Sequence, residues 1–450
     1  MWRAVAKYRR RARRRRIFSL ETGGCLQGRR ELAAERQVIA ALQPAMARGA
    51  KRHLVETLEG LAGQLACGAA ASASELVSLV RQTPADSPID GSALFQNAAY
   101  RALIWWVRAQ PKTEHHFHLS GNVDPALVGA VPEEGEAASG TPAFAEVKQR
   151  IDAGMQAPGA FLGRVRHALG NAFADGCTHV ELRFNPFEKP YARDEAAILE
   201  RLHAVLGRLE DAAAGAWSRP HAVRLVFSIN RRYGAAFARR AVQSIERILR
   251  RAGQGLRRRM HGLDLSGPES RDGPPAAWKE AFRHAADLGL ACVAHLGDAT
   301  NAHFPSAAAH LDYVEATLEE LDCLERIGHA MVLSPLVERP GGAVEDAAGL
   351  QPRMVRVLRE IAQRGIAIET APSPAVLGAH RQRHRVFFWR QLGLPLKLLP
   401  IADEVYHHRI TLSKWLVDLL LFGPEGPHAL TWADVRDALR PRPAFLAAES

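Results

Sequence analysis

From residue 112 onward the chain alternates short apolar runs with amphipathic helical stretches, and this alternation restricts the fold more than any single motif. Strand patterns repeat every two residues and helical patterns every 3.6, so the two are separable in the sequence. Eight candidate strands fall at 113–118, 178–185, 224–229, 262–266, 291–296, 327–334, 366–371 and 396–402. Helical patterns fill most of the gaps, among them 195–212, 236–250, 277–285, 313–321, 354–362 and 412–421. A helix between two strands carries the chain back to the starting end of the sheet, so the strands run parallel. Eight such units predict an α/β protein built as a closed (β/α)8 TIM barrel, with a doubly wound open sheet as second choice.

The stretch 129–140, rich in Gly, Glu and Ala, reads as an insertion in the first loop after a barrel strand. Ahead of the barrel, residues 29–82 are Ala/Leu/Glu-rich with Leu54, Leu58, Leu61 and Leu65 at helical spacing. A turn-rich segment at 83–88 separates them from a second helical piece at 93–108, whose Trp105 and Trp106 read as packing residues. The expected organisation is a basic tail (1–28), a helical N-terminal extension (29–110) and the barrel (111–450).

The net charge of +11 suggests a polyanion partner, but nine Lys/Arg and no acid lie within residues 1–16, which leaves +2 for the remainder. The basicity is therefore assigned to the tail, and nucleic acid is expected to bind only there, through counterion release. The plainer reading is a solvated low-complexity start of the chain. Arg15-Arg16-Ile17-Phe18-Ser19-Leu20 has the look of a twin-arginine export signal, but Glu21-Thr22-Gly23-Gly24 follows where an apolar stretch is required, so export is not expected. No run is apolar for long enough to span a membrane. The five cysteines are scattered without CxxC spacing, as in a protein with reduced thiols in the cytoplasm.

His116 and His118 close the first strand, and the two-residue period puts them on one side with His115 opposite. Such a pair can share a metal ion, although by itself it is more often a surface feature. Catalytic groups in a barrel come from the C-terminal ends of its strands. Those ends carry His116 and His118 after the first strand, His295 and Asp298 after the fifth, His329 after the sixth, and Asp403 and Glu404 after the eighth. Taken singly, the histidines read as satisfied core residues and the acids as helix caps. Together they are the parts of a metal hydrolase: imidazoles and a carboxylate to hold a divalent ion, and a histidine and an acid left over for proton transfer.

Seven motifs in order carry a family resemblance: His116-Phe117-His118-Leu119-Ser120-Gly121, Val180-Glu181-Leu182-Arg183-Phe184-Asn185-Pro186, Gly262-Leu263-Asp264-Leu265-Ser266-Gly267-Pro268-Glu269, His295-Leu296-Gly297-Asp298, Arg326-Ile327-Gly328-His329, Glu369-Thr370-Ala371-Pro372-Ser373 and Asp403-Glu404. The series resembles the adenosine and AMP deaminases of the metal-dependent amidohydrolases. The resemblance implies one Zn2+ per chain held by His116, His118, His295 and Asp403, with His329 orienting and helping to deprotonate the attacking water. It further implies Asp298 as the acid that protonates the purine ring nitrogen, with Gly267 and Glu404 as purine contacts. The implied partner is a small purine nucleoside or nucleotide, and the oligomeric state stays open. Asp298 stands where the family has Glu, Glu404 where it has Asp, and Ile401-Ala402 where it usually has Asn-Thr. Ser120 replaces the Asp that compact adenosine deaminases direct at the ribose 5′-hydroxyl. A serine can donate a hydrogen bond to a 5′-phosphate that a carboxylate would repel, while the plainer role for Ser120 is to cap a loop helix. Two alternatives accompany the deaminase reading: hydrolysis of another C–N bond, and a barrel without turnover that serves as a scaffold.

Overall fold

The structure, a computed structural model, describes residues 97–119, 158–187, 195–217, 220–269, 273–300, 304–339, 343–371, 384–402 and 411–423, with a few isolated positions besides. The tail, most of the N-terminal extension and the 129–140 insertion lie outside the described residues, as do Ser120, Asp403 and Glu404.

Eight strands form one parallel sheet curled into a nearly closed barrel. In chain order they are β1 (Lys112–His118), β2 (Cys177–Phe184), β3 (Ala222–Asn230), β4 (Met260–Ser266), β5 (Ala291–Leu296), β6 (Arg326–His329), β9 (Ala367–Thr370) and β10 (Lys397–Pro400). Each pairs with the next in sequence. All eight expected strands are present. The hairpin β7 (Leu336–Glu338) and β8 (Val344–Asp346), inserted after β6, is antiparallel and stands apart from the barrel. At the seam, the Ala402 amide just beyond β10 donates 2.8 Å to Glu114 Oε2 on β1, so a buried side chain joins the last strand to the first.

Helices α1 (Ala98–Ala109), α2 (Pro158–Ala174), α3 (Glu195–Trp217), α4 (Gly234–Arg251), α5 (Gln254–Arg259), α6 (Lys279–Asp287), α7 (Ala307–Glu320), α8 (Gln351–Arg364), α9 (Arg385–Gln391) and α10 (Leu412–Phe422), with short 3-10 turns at Arg231–Tyr233, Pro275–Trp278 and Ala348–Leu350, complete the described elements. Their apolar stripes close over the outer surface of the barrel. Leu182, Leu225, Phe227, Leu263, Ala294, Ile327 and Ile368 on the strands join Ile245, Phe282, Leu311, Val314 and Leu358 on the helices in one core. α1 packs against α10, where the Tyr100 hydroxyl donates to Asp418 Oδ1 at 2.5 Å.

β6 is shorter than the 327–334 run suggests. His329 and Ala330 take left-handed backbone angles, φ 72° and 48°, which end the extended run. Such angles cost non-glycine residues about 1–3 kcal/mol and collect at functional sites. Here the Ala330 amide bonds the Leu296 carbonyl at 3.0 Å and the Val332 amide the Gly297 carbonyl at 3.0 Å, locking the turn to the end of β5.

Candidate active site

Inside the barrel the polarity inverts. Glu181 and Arg183 on β2, Asp264 on β4, Arg326 on β6 and Glu369 on β9 all point inward and are buried. An interior of this kind persists only if each charge finds partners. Arg183 lies at its centre: Nη1 is 2.7 Å from Asp264 Oδ1 and Nη2 is 2.5 Å from Glu369 Oε2. Arg326 Nη1 reaches Glu181 Oε2 at 2.5 Å and Glu369 Oε1 at 3.2 Å. The Ser228 hydroxyl donates to the other Asp264 oxygen at 2.8 Å. Burial alone would favour neutral Asp264, but Arg183, and after it His295, outweigh burial and hold the carboxyl well below its usual range.

These acids orient the histidines at the C-terminal end of the barrel. His116 Nδ1 lies 2.7 Å from Glu369 Oε2, and His295 Nδ1 lies 3.0 Å from Asp264 Oδ1. A carboxylate accepts, so both Nδ1 atoms donate, and Nε2 is the nitrogen of each ring left to offer a lone pair to a metal. Burial first, then Arg183, pushes His116 well below the ordinary imidazole value and keeps it neutral. The Nε2 atoms of His116, His118 and His295 stand 3.0 Å from one another. Converging lone pairs repel unless a cation lies among them, and neutral imidazoles backed by carboxylates are the usual donors to zinc and its neighbours. The donor set therefore fits a divalent transition metal. Among the described residues, two overlapping sets of three lie near enough to share an ion: His116, His295 and His329, and His118, Asp264 and His295.

Close packing fixes the first ligand. β6 pairs with β5 and β9 so that Gly328 lies between His295 and Glu369, and a Cβ on Gly328 would fall 2.9 Å from His116 Cε1. Only glycine leaves room for that ring. Gly267, at the end of β4, has φ 87°, and a Cβ there would meet Asn230 Oδ1 at 2.5 Å. Its carbonyl accepts from Arg231 Nη1 at 2.8 Å, while Arg231 Nη2 donates to the His295 carbonyl at 2.7 Å.

Asp298 and His329 face each other beside this cluster, with Asp298 Oδ2 4.0 Å from His329 Nε2. Asp298 Oδ1 accepts from the Thr300 hydroxyl at 2.7 Å, which leaves Oδ2 as the oxygen directed at His329. Burial pushes His329 down to about 4 against the opposing pull of Asp298, so its ring is neutral at pH 7 and able to take a proton. Glu269 holds the backbone of this corner: its oxygens accept from the Gly297 amide at 3.0 Å and the Asp298 amide at 2.8 Å, and His310 Nε2 lies 3.0 Å from it. Of the residues expected from sequence, His116, His118, His295, Asp298, His329 and Gly267 are gathered at one end of the barrel. The sequence reading gave no role to Arg183, Asp264, Glu369 or Glu269, although all four stand in its motifs. For Arg183, Asp264 and Glu369 the available signal was an ionisable residue within an otherwise largely apolar strand, whereas Glu269 lies beyond the end of β4.

The family model for adenosine deaminase matches residues 111–379. This chain belongs to the adenosine deaminase family. It is accordingly a hydrolytic enzyme of the purine-deaminating class. It is similar to an adenine deaminase of Cupriavidus taiwanensis, 24% identical over 288 residues that cover 60% of this chain and 70% of the relative. Among solved structures it resembles an amidohydrolase from Burkholderia ambifaria with bound Zn, at 20% identity and TM-score 0.57, over 81% of this chain and 94% of that one. It also resembles Arabidopsis ADAL complexed with GMP, at 17% identity and TM-score 0.53, over 76% and 96% of the two chains. Both likenesses bear on the fold. Among the described residues, no helix is long and apolar enough to cross a membrane.

Proposed function

We propose that this protein is a zinc-dependent deaminase that hydrolyses the exocyclic amine of an adenine base, nucleoside or nucleotide and releases ammonia. The observation that carries the reading is the three-nitrogen face of His116, His118 and His295 with the Asp298–His329 pair beside it. A zinc ion at those nitrogens, with Asp403 as the further ligand, would supply a water of lowered pKa. His329 Nε2 would take the proton that water gives up and pass it to the amine nitrogen, so that the C–N bond breaks and ammonia leaves. The remaining proton of the attacking oxygen would restore the Asp298 acid as the carbonyl forms. Asp298 would deliver a proton through Oδ2 to the purine ring nitrogen as the amine-bearing carbon becomes tetrahedral, and Thr300 keeps that oxygen pointed inward. The Gly267 backbone and Glu404 would hold the purine. Adenine deamination by a relative and GMP binding by a structural neighbour suit a pocket of this chemistry.

The test is ammonia release by the zinc-loaded full chain from adenine, adenosine, AMP and ATP, each followed by loss of the adenine absorbance. Turnover of at least one is expected. Stoichiometric zinc with no ammonia from any of them would overturn the proposal in favour of another C–N substrate or a scaffold.

A further inference from the structure

The remainder charge of +2 outside the N-terminal tail conceals a strong local imbalance. Between 231 and 259 the chain has ten arginines and one carboxylate, Glu246, so +2 is the difference between +9 here and −7 elsewhere. On α4, Arg240, Arg247 and Arg251 are spaced by seven and then four residues, which brings them onto one face over about 16 Å of helix. All three are exposed. The adjoining flank of α4, towards α6, is neutralised: Arg239 lies 3.5 Å from Glu280, His284 lies 3.1 Å from Glu246, and Arg250 pairs with Glu246 as well. α5 continues the unneutralised side with exposed Arg257 and Arg258, and Arg257 donates 3.0 Å to the Arg250 carbonyl where the two helices meet. Among the described residues, no carboxylate lies within ion-pair reach of Arg240, Arg247, Arg251, Arg257 or Arg258, whereas Arg259 is fully engaged by Glu210.

We propose that this α4–α5 face is a docking surface for the phosphate backbone of a nucleic acid, distinct from the catalytic end of the barrel. Guanidinium groups pair with phosphate in a fork, and a row of them held on a rigid helix releases counterions without first being ordered. A second copy of this chain does not suit the face, because a two-fold interface would set the arginine row against itself. An anionic membrane surface suits it less well, because α4 buries its apolar residues Val242, Ile245 and Ile248 in the barrel core. The exposed large apolar residue nearby is Tyr233 at the start of the helix, too little to enter a bilayer. The Arg-rich segment 1–16 adds charge of the same sign to the chain.

The test uses the full chain, so that the tail contributes equally throughout. Fluorescence anisotropy of a labelled single-stranded RNA is followed against KCl concentration, with a DNA strand and an RNA duplex as further arms. Neutralising three phosphate contacts in Arg240→Gln/Arg247→Gln/Arg251→Gln should lower the slope of log affinity against log salt by about 2 and weaken binding at low salt by about a hundredfold. A control with equal charge loss, Arg166→Gln/Arg356→Gln/Arg359→Gln, all exposed on α2 and α8, should leave both nearly unchanged. Unchanged thermal midpoints confirm that both triples fold. Equal behaviour of the two triples, or no RNA binding by the wild type at low salt, would overturn the proposal. So would an effect of the α4 triple confined to phosphatidylserine vesicles, or to self-association in sedimentation velocity.

Discussion

Arg183→Met removes the group on which both carboxylate–histidine pairs depend. The guanidinium is fully buried and lies 2.7 Å from Asp264 and 2.5 Å from Glu369, the two acids that hold His295 and His116. Methionine keeps the length of the stem but leaves Asp264 without a cation, while Glu369 retains Arg326 at 3.2 Å. Removing one partner from a buried ionic network costs about 3–5 kcal/mol, largely the desolvation of the charge left behind. The chain lessens that cost by protonating Asp264, and a protonated acid holds the His295 Nδ1–H less firmly. Loss of such an orienting partner lowers metal affinity by roughly 10–100-fold. Two measurements separate these effects: urea unfolding of the metal-free protein, and zinc affinity by competition with a chromophoric chelator. Arg183→Lys restores charge without the fork that reaches both acids, so it should fall between wild type and Met in both. If the Met variant unfolds earlier yet binds zinc as tightly as wild type, Arg183 is a brace for the barrel and the reasoning fails.

Asp298→Asn should retain zinc and lose roughly 10²–10⁴ in kcat, since the amide cannot supply the proton; near-normal kcat in steady-state ammonia assays would assign the donor elsewhere. Gly328→Ala places a Cβ 2.9 Å from the His116 ring, so zinc affinity should fall while the neighbouring strands keep their hydrogen-exchange protection. Burial pushes His261 down to about 4 from an ordinary 6.5, so the folded chain refuses a proton that the unfolded chain binds. Stability present above pH 6.5 is then lost as pH falls towards 4, by up to ~3 kcal/mol, and His261→Gln should flatten that limb in urea titrations at stepped pH. Ser120→Asp should lower kcat/KM for AMP and ATP about tenfold or more relative to adenosine if Ser120 faces the 5′ end, and equal suppression of all three would remove that assignment.

The fold was legible because a parallel barrel strand has to be short, apolar and separated by helices, and the runs met those conditions apart from the polar 113–118, Thr113-Glu114-His115-His116-Phe117-His118. The end of β6 was not, because the left-handed turn at His329 and Ala330 contains no glycine, and Ala330 has no special tendency to form it. The tie from Leu296 and Gly297 produces that turn, and such a tie is visible only once β5 and β6 are neighbours. The histidines were legible because imidazoles at the ends of the first, fifth and sixth strands seldom coincide by chance. The acids behind them were harder to read. In Val180-Glu181-Leu182-Arg183-Phe184 the alternation puts Glu181 and Arg183 on one face, a pattern that ordinarily marks the wet side of a sheet. A closed barrel has no wet side, and the same alternation instead builds an ionic interior.

The signs within that interior bear on what it is built to hold. Arg183 and Arg326 contribute two positive charges, and Glu181, Asp264 and Glu369 three negative ones, so the described column has a net charge of −1. Glu114, at the seam, is consistent with this excess. Burial first pushes it up to about 8, the nearby Asp175 and Glu369 add to the rise, and the amides of Ala402 and His116 only partly offset them. A further negative charge is refused there. A divalent ion on the face of His116, His118 and His295 would reverse the net charge to +1, and Asp403 as its carboxylate ligand would bring it to zero. A buried site is least costly when ion, ligands and surrounding charges balance. On this argument the ionic column and the metal face form one electrostatic unit, which the carboxylate proposed at the end of the eighth strand would complete.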